Sequence, residues 1–164
     1  MALKAELYAY DSIKADFEGL IEGKWTREEN LHLTLCFFGD FYTPDEVLEL
    51  MPKEIEKIAP SELVSLSYFK HNNILFAQTQ SEELLEFRAR LSKYFSRLEA
   101  AKFVPHVTLM RMKKISDTEL FEKTLDKYAG VKLGQLSASI HLMQSNFTPE
   151  GVRYESLKEF NSNN

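Results

Sequence analysis

Two histidines stand in matching surroundings. Asn30-Leu-His32-Leu-Thr34-Leu35-Cys-Phe-Phe-Gly39 and Phe103-Val-Pro-His106-Val-Thr108-Leu109-Met-Arg111 both read His-apolar-Thr-Leu inside an apolar, strand-like run. Side chains alternate faces along an extended chain. His32 and Thr34 therefore share one face, with Leu33 and Leu35 on the other; His106 and Thr108 repeat this, with Val107 and Leu109 opposite. Two of the four histidines carry this context, about half the chain apart. That reads as an internal repeat, two lobes each giving one strand to a shared cleft. A lone histidine in an apolar strand is more often a hydrogen-bonded structural residue; the matched pair turns the reading toward chemistry. Imidazole titrates near neutrality, at a pKa of about 6.5, so one ring can accept a proton while the other gives one. Each such role is worth about 10²–10⁴-fold in rate. The two threonine hydroxyls suit phosphate oxygens, as donors that add no charge.

Other candidates rank below these four. A zinc site is the competing chemistry, but catalytic zinc usually takes three protein ligands. No His, Asp or Glu sits beside either histidine at ligand spacing, so neither metal nor other cofactor is expected. Arg111 could add a charge-assisted hydrogen bond to phosphate. Strict alternation puts it opposite His106 and Thr108, and it reaches their face only if the strand ends or bulges after Leu109. Arg153 and Tyr154 follow a turn and are candidates for the cleft rim, against the alternative of a surface strand pair. His71 reads as solvated and His141 as structural. Without a bulge Cys36 shares the His32 face, and a buried small side chain is its default. Trp25, Phe37 and Phe38 read as core residues ahead of platforms for nucleobases.

The elements that must position these residues are legible in outline. A strand is expected over 5–10 and a helix from Asp11 or Ser12 to about Glu22, closed by Gly23. Thr43-Pro44-Asp45-Glu46 carries the N-cap, first-turn proline and capping-box residues of a helix start, and Pro52 should kink or split that helix. Leu63–Phe69 and Ile74–Thr79 read as a hairpin around His71-Asn72-Asn73. A helix opens at Ser81 and runs to about Glu99 with Leu84, Phe87, Leu91, Phe95 and Leu98 on one stripe. A further capping box starts at Ser116, for a helix ending near Gly130. Strands are expected around 136–143 and 152–160, and a frayed tail at Asn161–Asn164. The order β-α-β-α-ββ-α-β-α-ββ argues an α+β fold with mainly antiparallel sheet, as one domain over residues 1–164.

Composition narrows the partners. With 44% apolar residues the chain can bury a core, and a net charge of −5 is a poor match for gripping a long nucleic acid. A few local groups could still hold one or two phosphates, so a small ligand or a chain end is expected. The single cysteine, the lack of an apolar leader and the lack of a membrane-length apolar run fit a cytoplasmic protein with no membrane partner.

At this point the residues resemble a known family. Trp25, Glu29 to Leu35 and Phe37-Phe38-Gly39 match the first signature of the 2H phosphoesterase superfamily, named for two His-x-Thr/Ser motifs; Phe103 and Pro105 to Arg111 match the second. Leu142 to Ser145 and Gly151 to Tyr154 resemble the closing segment. Within the superfamily the chain is most similar to the RNA 2′,3′-cyclic phosphodiesterases, also called 2′-5′ RNA ligases. The resemblance implies two pseudo-symmetric lobes around a central cleft, each an antiparallel sheet with outer helices. It implies metal-independent opening of a 2′,3′-cyclic phosphate, on RNA ends or nucleotides, to a 2′-phosphate. The chain would act as a monomer, with 2′-5′ joining as the reverse-type reaction. His32 would protonate the departing O3′ and His106 activate water, with Thr34, Thr108 and Arg111 on the phosphate. A binding module that holds the same phosphate without turnover is the alternative. Departures are Leu7 to Tyr10 in place of the family's usual opening strand, and Cys36 where Lys or Ala is common.

Overall fold

The computed structural model describes residues 1–52, 55, 58–98, 102–149 and 151–160. In chain order the elements are β1 (Ala2–Leu7), α1 (Tyr10–Asp16), β2 (Ile21–Trp25), a 3₁₀ turn (Glu28–Asn30), β3 (His32–Thr34), α2 (Pro44–Leu50), β4 (Glu62–Phe69), β5 (Ile74–Gln78), α3 (Glu82–Ser92), β6 (His106–Ile115), α4 (Thr118–Asp126), β7 (Lys132–Thr148) and β8 (Gly151–Phe160). The fold is α+β, and every strand pairing among the described residues is antiparallel.

The pairings close on themselves. The order β1-β3-β6-β5-β4-β7 returns to β1, with β2 added on β6 and β8 on β7. One half of this sheet is β1, β3, β7 and β8; the other is β2, β4, β5 and β6. The halves meet at two seams. At one, Leu33 of β3 faces Val107 of β6, so the two motif strands are direct neighbours. At the other, Glu62 and Leu63 of β4 face Gln135 and Gly134 of β7. A single buried hydrophobic cluster runs through both halves and includes Leu3, Leu33, Leu63, Leu75, Val107, Leu109 and Leu136.

The helices cover the outside in two groups, each fixed by an aromatic cluster. Phe17, closing α1, packs on Phe121 of α4, which meets Tyr68 of β4 edge-on. Phe38, Tyr42 and Phe95 stack edge to face near α2 and α3. The Thr43 capping box forms as its sequence dictates: Glu46 N–H donates to the Thr43 hydroxyl and Thr43 N–H to the Glu46 carboxylate. The hairpin β4–β5 also follows the sequence, with Asn73 taking the left-handed turn conformation (φ 54°).

Several expected element ends need correction. The helix expected to reach Glu22 stops at Asp16, and Ile21–Trp25 is a strand on β6. Gly19, at φ +75°, turns the chain between them. Gly23 is no helix stop. It sits where β2 crosses β6 so closely that a Cβ would lie 2.2 Å from the Arg111 carbonyl oxygen. Pro52 splits nothing, because α2 has already ended at Leu50. The third helix ends at Ser92, and Phe95 is buried from a following turn; the expected end at Glu99 falls outside the described residues, as does the tail Asn161–Asn164. At the fourth helix the cap is Asp117, which accepts from Leu120 N–H, one residue past Ser116.

Candidate active site

The site begins with the two motif strands lying side by side. Each motif starts in register and then slips by one residue. On β6, Thr108 faces Phe76 of β5 while Met110 faces the adjacent Leu75, so Leu109 is an extra residue. The bulge flips the alternation: Leu109 and Met110 are both buried and Arg111 emerges on the side of His106 and Thr108. This is the condition that Arg111 required. The first motif does the same more abruptly. Leu35 and Cys36 N–H groups both donate to the Met1 carbonyl, Leu35 and Cys36 are both buried, and Phe37 turns outward at 78% exposure. Cys36 therefore leaves the His32 face for the core, and Phe37 takes the place that Arg111 has in the second motif.

The bulge in β6 is anchored from behind. The Leu109 carbonyl accepts from Thr26 N–H and from the Tyr10 hydroxyl, which is also 2.7 Å from the Thr26 carbonyl. Burial at this junction raises the Tyr10 pKa well above its usual value, so the hydroxyl stays a donor.

Both histidines are held by the same latch. His32 Nδ1–H donates to the Asn30 carbonyl and His106 Nδ1–H to the Val104 carbonyl, each at 2.7 Å. A carbonyl only accepts, so Nδ1 carries the proton in each ring. Nε2 is left as the nitrogen that can take or give a proton to a ligand. Aromatic rings fix the ring planes: Tyr154 lies edge-on to His32 at 4.5 Å, and Phe69 and Phe76 lie edge-on to His106 at 5.0 and 5.3 Å. Burial lowers the His32 pKa, more than the hydrogen bond to Asn30 raises it, and the His106 ring adds to the lowering. Burial at this position thus favours the neutral form of the His32 imidazole.

The cleft has a volume of about 390 Å³, and His32, Thr34, His106, Thr108 and Arg111 all line it. Tyr154 lines it and Arg153 does not: on β8 Arg153 is paired to Asn146 and alternates away from Val152 and Tyr154. Lys24, Thr26, Arg27 and Asn30, with Gly151 and Val152, complete the wall without having been singled out as site residues, and Phe37, expected in the core, is instead exposed in it. Trp25 also lines it, half-buried and edge-on to Tyr10. The cleft's charged groups are Lys24, Arg27 and Arg111, with no carboxylate in the wall among the described residues. A chain of net charge −5 thus gathers positive charge where an anion would bind. Among the described residues no three His, Cys, Asp or Glu side chains converge as metal ligands. His71 is exposed in the hairpin turn. His141 is buried with Nδ1 2.9 Å from the Ser156 hydroxyl, a structural contact on β7.

The fold and the paired motifs define a 2H phosphoesterase, and the chain belongs to the AKAP7 2′5′ RNA ligase-like domain family, whose model matches residues 7–161. Curated relatives include RNA 2′,3′-cyclic phosphodiesterases of Methanocaldococcus jannaschii and Aquifex aeolicus. Each is 29% identical; the first match covers 84% of this chain and 83% of the relative, the second 92% and 87%. Among solved structures, E. coli LigT complexed with 3′-AMP superimposes with a TM-score of 0.71 at 17% identity, over 96% of this chain and 93% of that one. TT0787 of Thermus thermophilus does so at 0.62 and 22%, over 98% and 97%. No helix among the described residues is long and apolar enough to cross a membrane.

Proposed function

We propose that this chain is a metal-independent 2′,3′-cyclic phosphodiesterase acting on RNA ends or nucleotides. The single observation that carries the reading is the pair of histidines on neighbouring strands of one cationic cleft, each with Nδ1 latched to a backbone carbonyl. Such rings present Nε2 in a fixed direction and differ only in whether it holds a proton.

The chemistry balances with these groups alone. Water attacks phosphorus in line with the P–O3′ bond. One imidazole takes the water proton at Nε2; the other gives a proton from Nε2 to O3′ as that bond breaks. The product is a 2′-phosphate, and the pair has exchanged one proton. Thr34 and Thr108 hydroxyls donate to the two non-bridging oxygens, and Arg111 adds a charge-assisted bond that strengthens as charge grows there. With His32 as the acid, its lowered pKa means the bound phosphate must restore its proton, as an adjacent anion does. A 5′ hydroxyl attacking in place of water, with the same steps in the same direction, gives 2′-5′ joining with the same groups, and the reverse of that step cleaves a 2′-5′ link.

The test is incubation with a 2′,3′-cyclic mononucleotide in the presence of chelator, with the product resolved as 2′- or 3′-phosphate. Conversion to the 2′-phosphate is expected. A folded protein that binds the nucleotide without turning it over would be a binding module, and loss of turnover on chelation would mean a metal does the work.

A further inference from the structure

Resting on that phosphodiesterase reading, we infer that Lys24 forms, beside Arg111, a second anion subsite in the same cleft. It takes a phosphate esterified to the 5′ oxygen of the terminal nucleotide. The cleft thereby fits the end of a nucleic-acid chain better than a free cyclic nucleoside.

Three observations converge on Lys24. First, Lys24 of β2 and Arg111 of β6 are direct cross-strand partners, and both line the cleft. Like charges directly opposite one another destabilise a strand pair. Neither side chain forms an ion pair with a described residue. A phosphate bound at each cation would offset that repulsion.

Second, the cleft holds more positive charge than the reacting group needs. A cyclic phosphodiester carries one negative charge, and Thr34, Thr108 and Arg111 already serve its oxygens. Arg27 has the Glu29 carboxylate 3.9 Å away. Lys24 is the cation with no assigned partner, and the next phosphate along a nucleotide is the one on O5′.

Third, the exposed ammonium lies beside Gly151 at the cleft wall. Gly151 begins β8 at φ +125°, and a Cβ there would come within 2.8 Å of Lys24 Nζ. Glycine leaves the room that the lysine occupies. Asn30 Nδ2–H donates to the Val152 carbonyl at 2.8 Å, tying this part of β8 to the loop that carries the His32 latch. Lys24 is tied to the strand of His106 and Thr108 through its pairing with Arg111. As a point charge without the planar fork of arginine, lysine suits a diester that merely passes the site.

Three 2′,3′-cyclic substrates read the subsite: a mononucleotide with a free 5′ hydroxyl, the same nucleotide with a 5′-phosphate, and a dinucleotide. The wild-type kcat/KM is expected to be about tenfold higher for the two that carry an O5′ phosphate, the worth of one charge-assisted contact. The larger gain of the two identifies a chain phosphodiester or a free 5′-phosphate as the better ligand. A neutral methylphosphonate linkage in the dinucleotide should abolish its gain. Lys24→Gln should abolish it too, and should then be indifferent to the methylphosphonate. No gain in the wild type, a gain retained in Lys24→Gln, or an equal loss on all three substrates would each overturn the inference, the last by making Lys24 a ligand of the cyclic phosphate itself. If a folded protein turns over none of the three, the phosphodiesterase reading fails instead. The subsite is then read by binding of the 2′-phosphate dinucleotide, where equal affinity for diester and methylphosphonate forms would overturn it.

Discussion

The two halves of the cleft carry the same six-residue device and finish it differently. His32 to Phe37 and His106 to Arg111 both run histidine, buried residue, threonine, buried pair, outward residue. Both slip register after the threonine, and both latch Nδ1 to the carbonyl two residues back. The outward residue is Phe37 in one half and Arg111 in the other. What is shared is what proton transfer needs: a fixed tautomer and a fixed direction. What differs is what an asymmetric substrate needs, a charge on one side and an apolar face on the other. Under the proposed reaction the backbone repeat would serve proton transfer, and one side chain per half would serve recognition.

Removing either imidazole should have the largest effect. His32→Ala and His106→Ala should each lower kcat by about 10²–10⁴-fold, with the far-ultraviolet dichroism of the wild type retained. A variant that keeps wild-type turnover would remove its half from the chemistry. The outward residues should separate next. Arg111→Ala should lower kcat/KM on any cyclic phosphate by ~1.5–3 kcal/mol, the worth of a hydrogen bond to a charged group. Phe37→Ala should cost ~1–3 kcal/mol in binding through lost base stacking, and nothing on a ribose cyclic phosphate without a base. Equal losses on both substrates would contradict the division.

Two smaller effects sharpen the framework beneath. Gly23→Ala should destabilise the fold by roughly 1–3 kcal/mol, because its methyl would meet the Arg111 carbonyl; denaturant melts would read this. The pH dependence of stability tests the burial of His32. Its folded pKa lies below the unfolded value of about 6.5, so the unfolded chain binds the proton more tightly. The His32 contribution is therefore complete above that pH and is lost as pH falls through the folded value. His32→Gln should flatten the acid side of the stability profile in part only, because buried His141, also lowered, acts with the same sign.

Much of this site was legible in the sequence because it rests on local pattern. His-x-Thr twice, the capping residues at Thr43 and Glu46, and the β4–β5 hairpin are set by neighbours a few positions away. The strand β2 was not legible. Ile13, Phe17, Leu20 and Ile21 fall at helical spacing, and only pairing with β6, some ninety residues on, makes Ile21–Trp25 extended. Lys24 was lost with it, since the register of β2 brings it to the cleft. Phe37 read as core for a related reason: a bulge reverses which residues face the site, and nothing local announces it at Cys36. Arg111 was recoverable because the bulge could be stated as a condition and then looked for.

In the proposed reaction each half supplies one proton-transfer group. The direct measurement is the pH profile of kcat/KM on a 2′,3′-cyclic mononucleotide, for the wild type and for the two histidine-to-alanine variants at high enzyme concentration. A bell is expected for the wild type, with one limb lost in His32→Ala and the opposite limb lost in His106→Ala. Loss of the same limb in both, or a bell that survives either substitution, would contradict it.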